Sequence, residues 1–180
     1  MEETAAANEA PRHDGSETRR SASAGSFKSF VARRVLPRLP NAIARRIRRA
    51  YYLRLVRTSQ PDQLPCRPVV EALVQTGDGV VDIGANIGVF TRYLADRVGP
   101  KGRVWAIEPV PETFDALAFN VRRLKLRNVE PIHCAVSDRE GFVTMSIPRF
   151  HDGAENYYRA KIGETDRADA VRNVRVPVRS

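Results

Sequence analysis

Apolar positions along the chain change period in a repeating way. Val80, Val81 and Ile83 form a short β-branched run, and Phe90 to Val98 follows with apolar residues at helical spacing. Gly84 and Gly88 stand between them, so the pattern predicts a strand, a tight turn and a helix. The unit then recurs. Arg103 to Glu108 reads as a second strand, broken by Pro109 and Pro111. A helix follows from Glu112 to about Lys125, with Phe114, Leu117, Ala118, Val121 and Leu124 on its apolar side. Asn128 is expected to close that helix, and Val129 to Val136 to form a third strand. Such alternation predicts an α/β fold whose parallel strands are joined by right-handed crossovers, with their carboxyl ends opening on one side. Further on, Phe142 to Ile147 alternates like a half-exposed strand, His151 to Asp169 reads as a loop, and Val174 to Arg179 as a last strand.

Upstream the pattern is weaker. Residues 1 to about 26 hold almost nothing large and apolar and are expected to be disordered. From Phe27 to Thr58 there are Lys28, nine arginines and no acidic residue, a local charge of +10 against +9 for the whole chain, so the remainder is close to neutral. Asn41 is expected to cap a helix in which Ile43, Ile47, Ala50 and Tyr51 share a stripe, while Arg45, Arg46, Arg48 and Arg49 face away from it and Arg54 interrupts it. Pro61, Pro65 and Pro68 mark a linker, and Pro68 starts a short helix with Val69, Val70, Leu73 and Val74 on its apolar side. The expected organisation is a tail over 1–26, a basic helical arm over 27–60 and one α/β domain over 61–180. Three uses of the arm compete: a cover packed on the domain, adsorption to anionic lipid helped by Phe27, Phe30, Val31, Val35 and Leu36, and nucleic-acid binding, which charge permits but no recognisable module accompanies.

Composition narrows the setting. At 180 residues and 42% hydrophobic, the chain can build one core. No run of 18 apolar residues occurs, and Cys66 and Cys134 are too isolated to form a metal cluster. With no signal peptide in view, a reducing, cytoplasmic location is expected, peripheral to the membrane if the arm adsorbs.

The chemistry is expected at the first turn. A glycine corner after a strand aims backbone N–H groups and the positive end of a helix dipole above the strand's carboxyl end. Gly84 can take a positive φ there, Gly88 allows close approach, and Asp82 supplies a carboxylate. A dinucleotide fingerprint would need glycine at 86 and 89, where the chain has Asn86 and Val89. Glu108 lies 24 residues beyond Gly84, near the spacing at which an acidic side chain accepts bonds from ribose hydroxyls. Phe114, Phe119, His133 and Cys134 read as core residues rather than as stacking, base or nucleophile groups.

Asp-x-Gly-x-Asn-x-Gly resembles the first motif of class I S-adenosylmethionine-dependent methyltransferases. The segments VVDIGANIGVFTRYLAD, GPKGRVWAIEPVPETFDALAFNVRRL and NVEPIHCAVSDREGFVTMSIP together resemble the FkbM family of methyltransferases. That resemblance implies a Rossmann-like class I methyltransferase fold. It also implies S-adenosyl-L-methionine as cofactor, and methyl transfer to a hydroxyl of a sugar, polyketide or other small or conjugated acceptor. By motif, Asp82, Gly84, Ala85, Asn86 and Gly88 would surround the methionine part, Glu108 would hold the ribose, and Cys134 and Ala135 would lie beside the adenine.

The family continues past a strand like Val174 to Arg179 with an acidic segment, a further parallel strand, helices and a closing hairpin. The resemblance therefore implies the N-terminal half of the sheet, with most of the cofactor cradle and little of the acceptor wall. Asn156, Tyr157 and Tyr158 would border the acceptor. No residue is marked as general base, Asp138 and His151 being the nearest titratable groups. The alternative is a non-catalytic adaptor that binds anionic lipid or nucleic acid through residues 27–58.

Overall fold

In a computed structural model, residues 39–64, 66–148, 157, 160–163 and 172–180 are described. The tail, the first part of the arm, His151, Asn156 and Tyr158 lie outside them. The order is α1 (Asn41–Thr58), a 3-10 turn (Pro61–Gln63), α2 (Arg67–Leu73), β1 (Gly79–Ile83), α3 (Val89–Val98), β2 (Arg103–Ile107), α4 (Pro111–Leu124), β3 (Val129–Ile132), β4 (Ala135–Val136), β5 (Gly141–Ile147), β6 (Lys161–Ile162) and β7 (Arg172–Arg179).

The strands form two sheets. One is all parallel, in the order β1-β2-β3, with Asp82 beside Ala106 and Ile83 beside Ile107. The other has the order β4-β7-β5-β6, in which only β4 and β7 run parallel. The expected single strand from Val129 to Val136 is thus two strands in different sheets. Its break has a local cause: β2 ends at Ile107, the Glu108 N–H takes the Ile132 carbonyl, and the prolines that follow leave little ladder to pair with. His133 leaves the strand line to stack on Phe114 at 4.6 Å and to share a hydrogen bond with the Pro109 carbonyl, and the chain re-enters sheet structure at Ala135.

Near-face residues of the parallel sheet bury the core. Val104 packs with Leu94, Ala95, Val98 and Val70, and Ala106 with Ala85, Leu117 and Val121. On the opposite face Val81 and Ile83 stay 55% and 66% exposed. Of the apolar residues expected to bury α2, only Val70 is buried, while Val69 and Leu73 are exposed. The second sheet has its own cluster of Ala135, Met145, Ile147, Val176 and Val178, joined by Val110 and flanked by Tyr157.

The arm helix differs from expectation in two respects. Pro40, not Asn41, occupies its cap position. The predicted stripe also faces outward, with Ile43, Ile47 and Tyr51 exposed and Ala44 and Val56 buried, and Val56 packs with Ile87 and Ala116. Polar contacts fix that choice. Arg49 donates two bonds to the Asp115 carboxylate at 2.6 and 2.7 Å and lies over Phe119 at 5.1 Å. Arg92 of α3 donates to the last carbonyls of α1, those of Val56 and Arg57, both at 2.7 Å. Arg97 does the same for α2 at Glu71 and Val74.

Terminal carbonyls of a helix have no partner within it, so these arginines act as C-terminal caps. Arg92→Ala is expected to lower stability by about 1 kcal/mol, reduced by partial exposure, with faster amide exchange confined to the last turn of α1. Urea unfolding with hydrogen exchange checks this, and an unchanged exchange pattern would show that Val56 packing alone seats the helix. Asn128, expected to close α4, instead donates to the carbonyls of Ala95 and Gly99 and closes α3, while α4 ends on Lys125 in the left-handed region.

Candidate functional site

The turn after β1 is shaped as the glycine spacing suggests. Gly84 (φ +79), Asn86 (φ +50) and Gly88 (φ +93) are all left-handed, a conformation that glycine adopts freely and asparagine more readily than most. The Ile107 carbonyl accepts both the Gly84 and the Ala85 N–H at 2.9 Å, which fastens the turn to the end of β2. A Cβ at Gly84 would meet nothing within 4 Å, so that position opens outward. A Cβ at Gly88 would lie 2.9 Å from Leu117 Cδ1, so Gly88 answers to packing against α4 rather than to an approaching ligand.

Glu108 is 5% exposed and tied to both loops at the mouth. Its Oε2 accepts the Asn86 N–H at 2.8 Å, and its Oε1 accepts the Val110 N–H at 2.9 Å and the Thr113 hydroxyl at 2.7 Å. A carboxylate has about four acceptor positions, of which these bonds use three, so Oε2 keeps one for a ligand hydroxyl. Glu108 was expected to accept from ribose hydroxyls; in the structure most of the carboxylate is taken up in holding the two loops together.

Asp82, 7% exposed in β1, accepts the Thr91 hydroxyl at 2.6 Å. Burial pushes its carboxyl above the ordinary 3.8; the Thr91 bond works against that shift, and the Glu108 charge adds to it. Thr91 and Thr113 were not singled out in the sequence. Each is the third residue of the helix that follows its acid's strand, and is buried on the helix's inner face; that repeated position is the signal that could have found them. Asn120 was also missed; it donates to the Ile87 carbonyl at 2.8 Å and steadies the turn from below.

Asp82, Gly84, Ala85, Asn86, Gly88 and Glu108 therefore lie together at the carboxyl ends of β1 and β2. Cys134 and Ala135 follow β3 by two and three residues, and both side chains are buried, Ala135 among Val110 and the second sheet's core. A cavity of about 690 Å³ lies at the opposite end of the sheet beside Gly99, Arg103, Arg127 and Glu130. It has neither the buried carboxylates nor the left-handed turn that are found at the Glu108 mouth. Among the described residues no cluster of His, Cys, Asp and Glu could hold a metal ion.

The cradle fits an adenosyl sulfonium on an observation independent of motif. Asn86, whose backbone N–H bonds Glu108, has its side-chain Oδ1 buried with no partner among the described residues, an acceptor that costs stability unless a donor reaches it. Two buried carboxylates close enough to influence each other likewise favour a cationic ligand.

Comparison with known proteins agrees. The family described as Methyltransferase FkbM domain matches residues 82–179, more than half of the chain. The 31-O-demethyl-FK506 methyltransferase FkbM of Streptomyces tacrolimicus is 39% identical over 74 residues, covering 41% of this chain and 28% of that protein. A protein-L-isoaspartate O-methyltransferase of Methanothrix thermoacetophila is 32% identical over 59 residues, 33% of this chain and 28% of its own length. A solved SAM-dependent methyltransferase from Aquifex aeolicus shares 28% identity, with a TM-score of 0.40 over 47% of this chain and 46% of that one. The chain thus spans about a quarter of the length of the curated relatives it matches. With the glycine turn, the paired acids and the second and third parallel strands all inside the matched region, the chain belongs to the FkbM family of S-adenosylmethionine-dependent methyltransferases.

Proposed function

We propose that this chain holds S-adenosylmethionine at the carboxyl ends of β1 and β2 and serves an O-methyltransferase that acts on a hydroxyl of a small or conjugated acceptor, a sugar or polyketide among them. The observation that carries the reading is the buried Glu108 carboxylate, tied to the Asn86 N–H, the Val110 N–H and the Thr113 hydroxyl with one acceptor position of Oε2 unused. In this reading Glu108 accepts from the ribose, and Asn86, Ala85 and the open side of Gly84 receive the methionine part. Asp82 faces its positive charge, and the backbone at Cys134 and Ala135 borders the adenine. The cofactor supplies a methyl already activated on a sulfonium. The work left to the protein is alignment and exclusion of water, and holding reactants in line is worth about 7–11 kcal/mol in favourable cases. No side chain is assigned to take the acceptor's proton: the His133 ring is committed to Phe114 and Pro109, and Asp138 is exposed beside Ser137.

Calorimetric titration with S-adenosylmethionine tests the first half and should give saturable heat; a flat trace would remove the reading. Transfer of labelled methyl to a panel of sugar and polyketide hydroxyls tests the second, and label appearing on nitrogen or carbon acceptors alone would reassign the reaction.

Asp82 adds a pH signature. Its raised folded-state pKa favours folding below pH 3.8, and that contribution is lost as pH rises through the raised value. A cationic ligand favours the ionised form, so binding should expel a proton in the window just above the ordinary 3.8. Titrations in two buffers of different ionisation enthalpy, stepped upward from pH 3.8, should differ within that window and agree above it, short of the range where the ligand's own amino group titrates. Asp82→Asn should remove the difference. Identical heats in both buffers throughout that window would show that Asp82 does not face the charge.

A further inference from the structure

We infer that the outward face of α1 is a docking surface for an anionic lipid bilayer. The inference does not depend on the methyl-transfer reading. Ile43, Ile47 and Tyr51 are 46%, 42% and 47% exposed and lie within an arc of about 80° on the helix. Arg54 falls inside that arc, and Arg46 and Arg57 lie within about 60° of its edge, all three exposed. The helix carries six arginines and no acidic residue.

Packing does not explain this face. The inner side of α1 is satisfied through Ala44, Tyr52, Leu55 and Val56, and by Arg49 on Asp115. Arg45 and Arg48 belong to that inner side, lining a small cavity of about 70 Å³ with Glu112 and Asp115. The outer row therefore mixes half-exposed branched and aromatic side chains with arginines that form no ion pair among the described residues, and the flanking cations do not remove the cost of leaving the isoleucines in water.

That mixture selects the partner. A phosphate backbone would use the arginines but gives Ile43 and Ile47 nothing apolar to enter. An interface of phospholipid headgroups and acyl chains takes both: the isoleucines and the Tyr51 ring enter the boundary while the arginines reach lipid phosphates. Among the described residues no helix is long and apolar enough to cross a membrane, so the association is peripheral. With α1 fastened through Arg92 to the helix that starts at the glycine turn, the bilayer would carry the whole domain.

Co-sedimentation of the full chain with vesicles decides it. Vesicles of phosphatidylcholine containing about one-third phosphatidylserine should bind at least about ten-fold more strongly than phosphatidylcholine alone. Arg54→Gln and Arg46→Gln should each weaken binding by about five-fold, and Ile43→Asp with Ile47→Asp by at least as much. Both isoleucines are half-exposed, so circular dichroism should match wild type; if the double variant misfolds, the arginine variants still decide. Several results would overturn the proposal: no binding to either vesicle, equal binding to both, or anionic binding unmoved by the four substitutions, which would put the contact elsewhere on the chain. Equally decisive against it would be duplex DNA competing with vesicles for the same residues, or a dimer in sedimentation that the isoleucine changes dissolve.

Discussion

Glu108→Ala is expected to lose S-adenosylmethionine affinity by about 100-fold and to lower folding stability by about 3 kcal/mol. Both effects come from one carboxylate. Its removal strands the N–H groups of Asn86 and Val110, both buried or nearly so, while the Thr113 hydroxyl keeps the Val110 carbonyl at 3.0 Å; an unsatisfied buried donor costs about 1–3 kcal/mol, part of which water entering the gap recovers. It also removes the acceptor left for the ribose, a charge-assisted bond worth about 1.5–3 kcal/mol. Glu108→Gln should recover little, because one carboxylate oxygen becomes an NH2 group facing existing donors. Urea unfolding and calorimetry separate the two losses. Wild-type affinity in Glu108→Ala would end the ribose assignment, and wild-type stability would show that the bonds from the Asn86 and Val110 N–H groups are not formed in solution.

Gly84→Val should affect ligand and fold in the opposite proportion. A side chain at φ +79 adds strain of about 1–2 kcal/mol, but its Cβ touches no protein atom within 4 Å and enters the space above the strand end. Affinity for S-adenosylmethionine is expected to fall more than about 100-fold while the protein stays folded. Gly88→Ala supplies the contrast. Its Cβ would press on Leu117, so it should lose stability first, and affinity only as the turn distorts. Equal affinity losses in folded Gly84→Val and Gly88→Ala proteins would mean that the whole turn, rather than the open side at Gly84, receives the ligand.

The cradle was legible because its geometry is local. A β-branched run, two glycines four residues apart and an acid at the next strand's end determine where the backbone turns and which strand mouths coincide, and Gly84 and Glu108 indeed meet there. What those acids bond to was not legible, since Thr91 and Thr113 look like ordinary helix residues until the helices pack. The orientation of α1 was illegible for a different reason. Its apolar residues form two rows, one through Ile43, Ile47 and Tyr51 and one through Ala44, Tyr52 and Val56, and local sequence prefers neither. Contacts to Asp115 and Arg92, 66 and 36 residues away from their partners in α1, made the choice. The division of the third strand was hidden likewise, because Val129 to Val136 is uniformly strand-like and the point where β2 stops lies on another segment.

Val81 and Ile83, bare on the far side of the parallel sheet, bear on how these molecules behave in concentrated solution. A net charge of +9 keeps neighbours apart when ions are scarce. Added electrolyte shortens the reach of that repulsion to about 8 Å at physiological strength, while the attraction between oily strips is undiminished. Clustering through this strip therefore grows with ionic strength, the reverse of what so basic a polypeptide would show if coulombic adhesion governed its encounters.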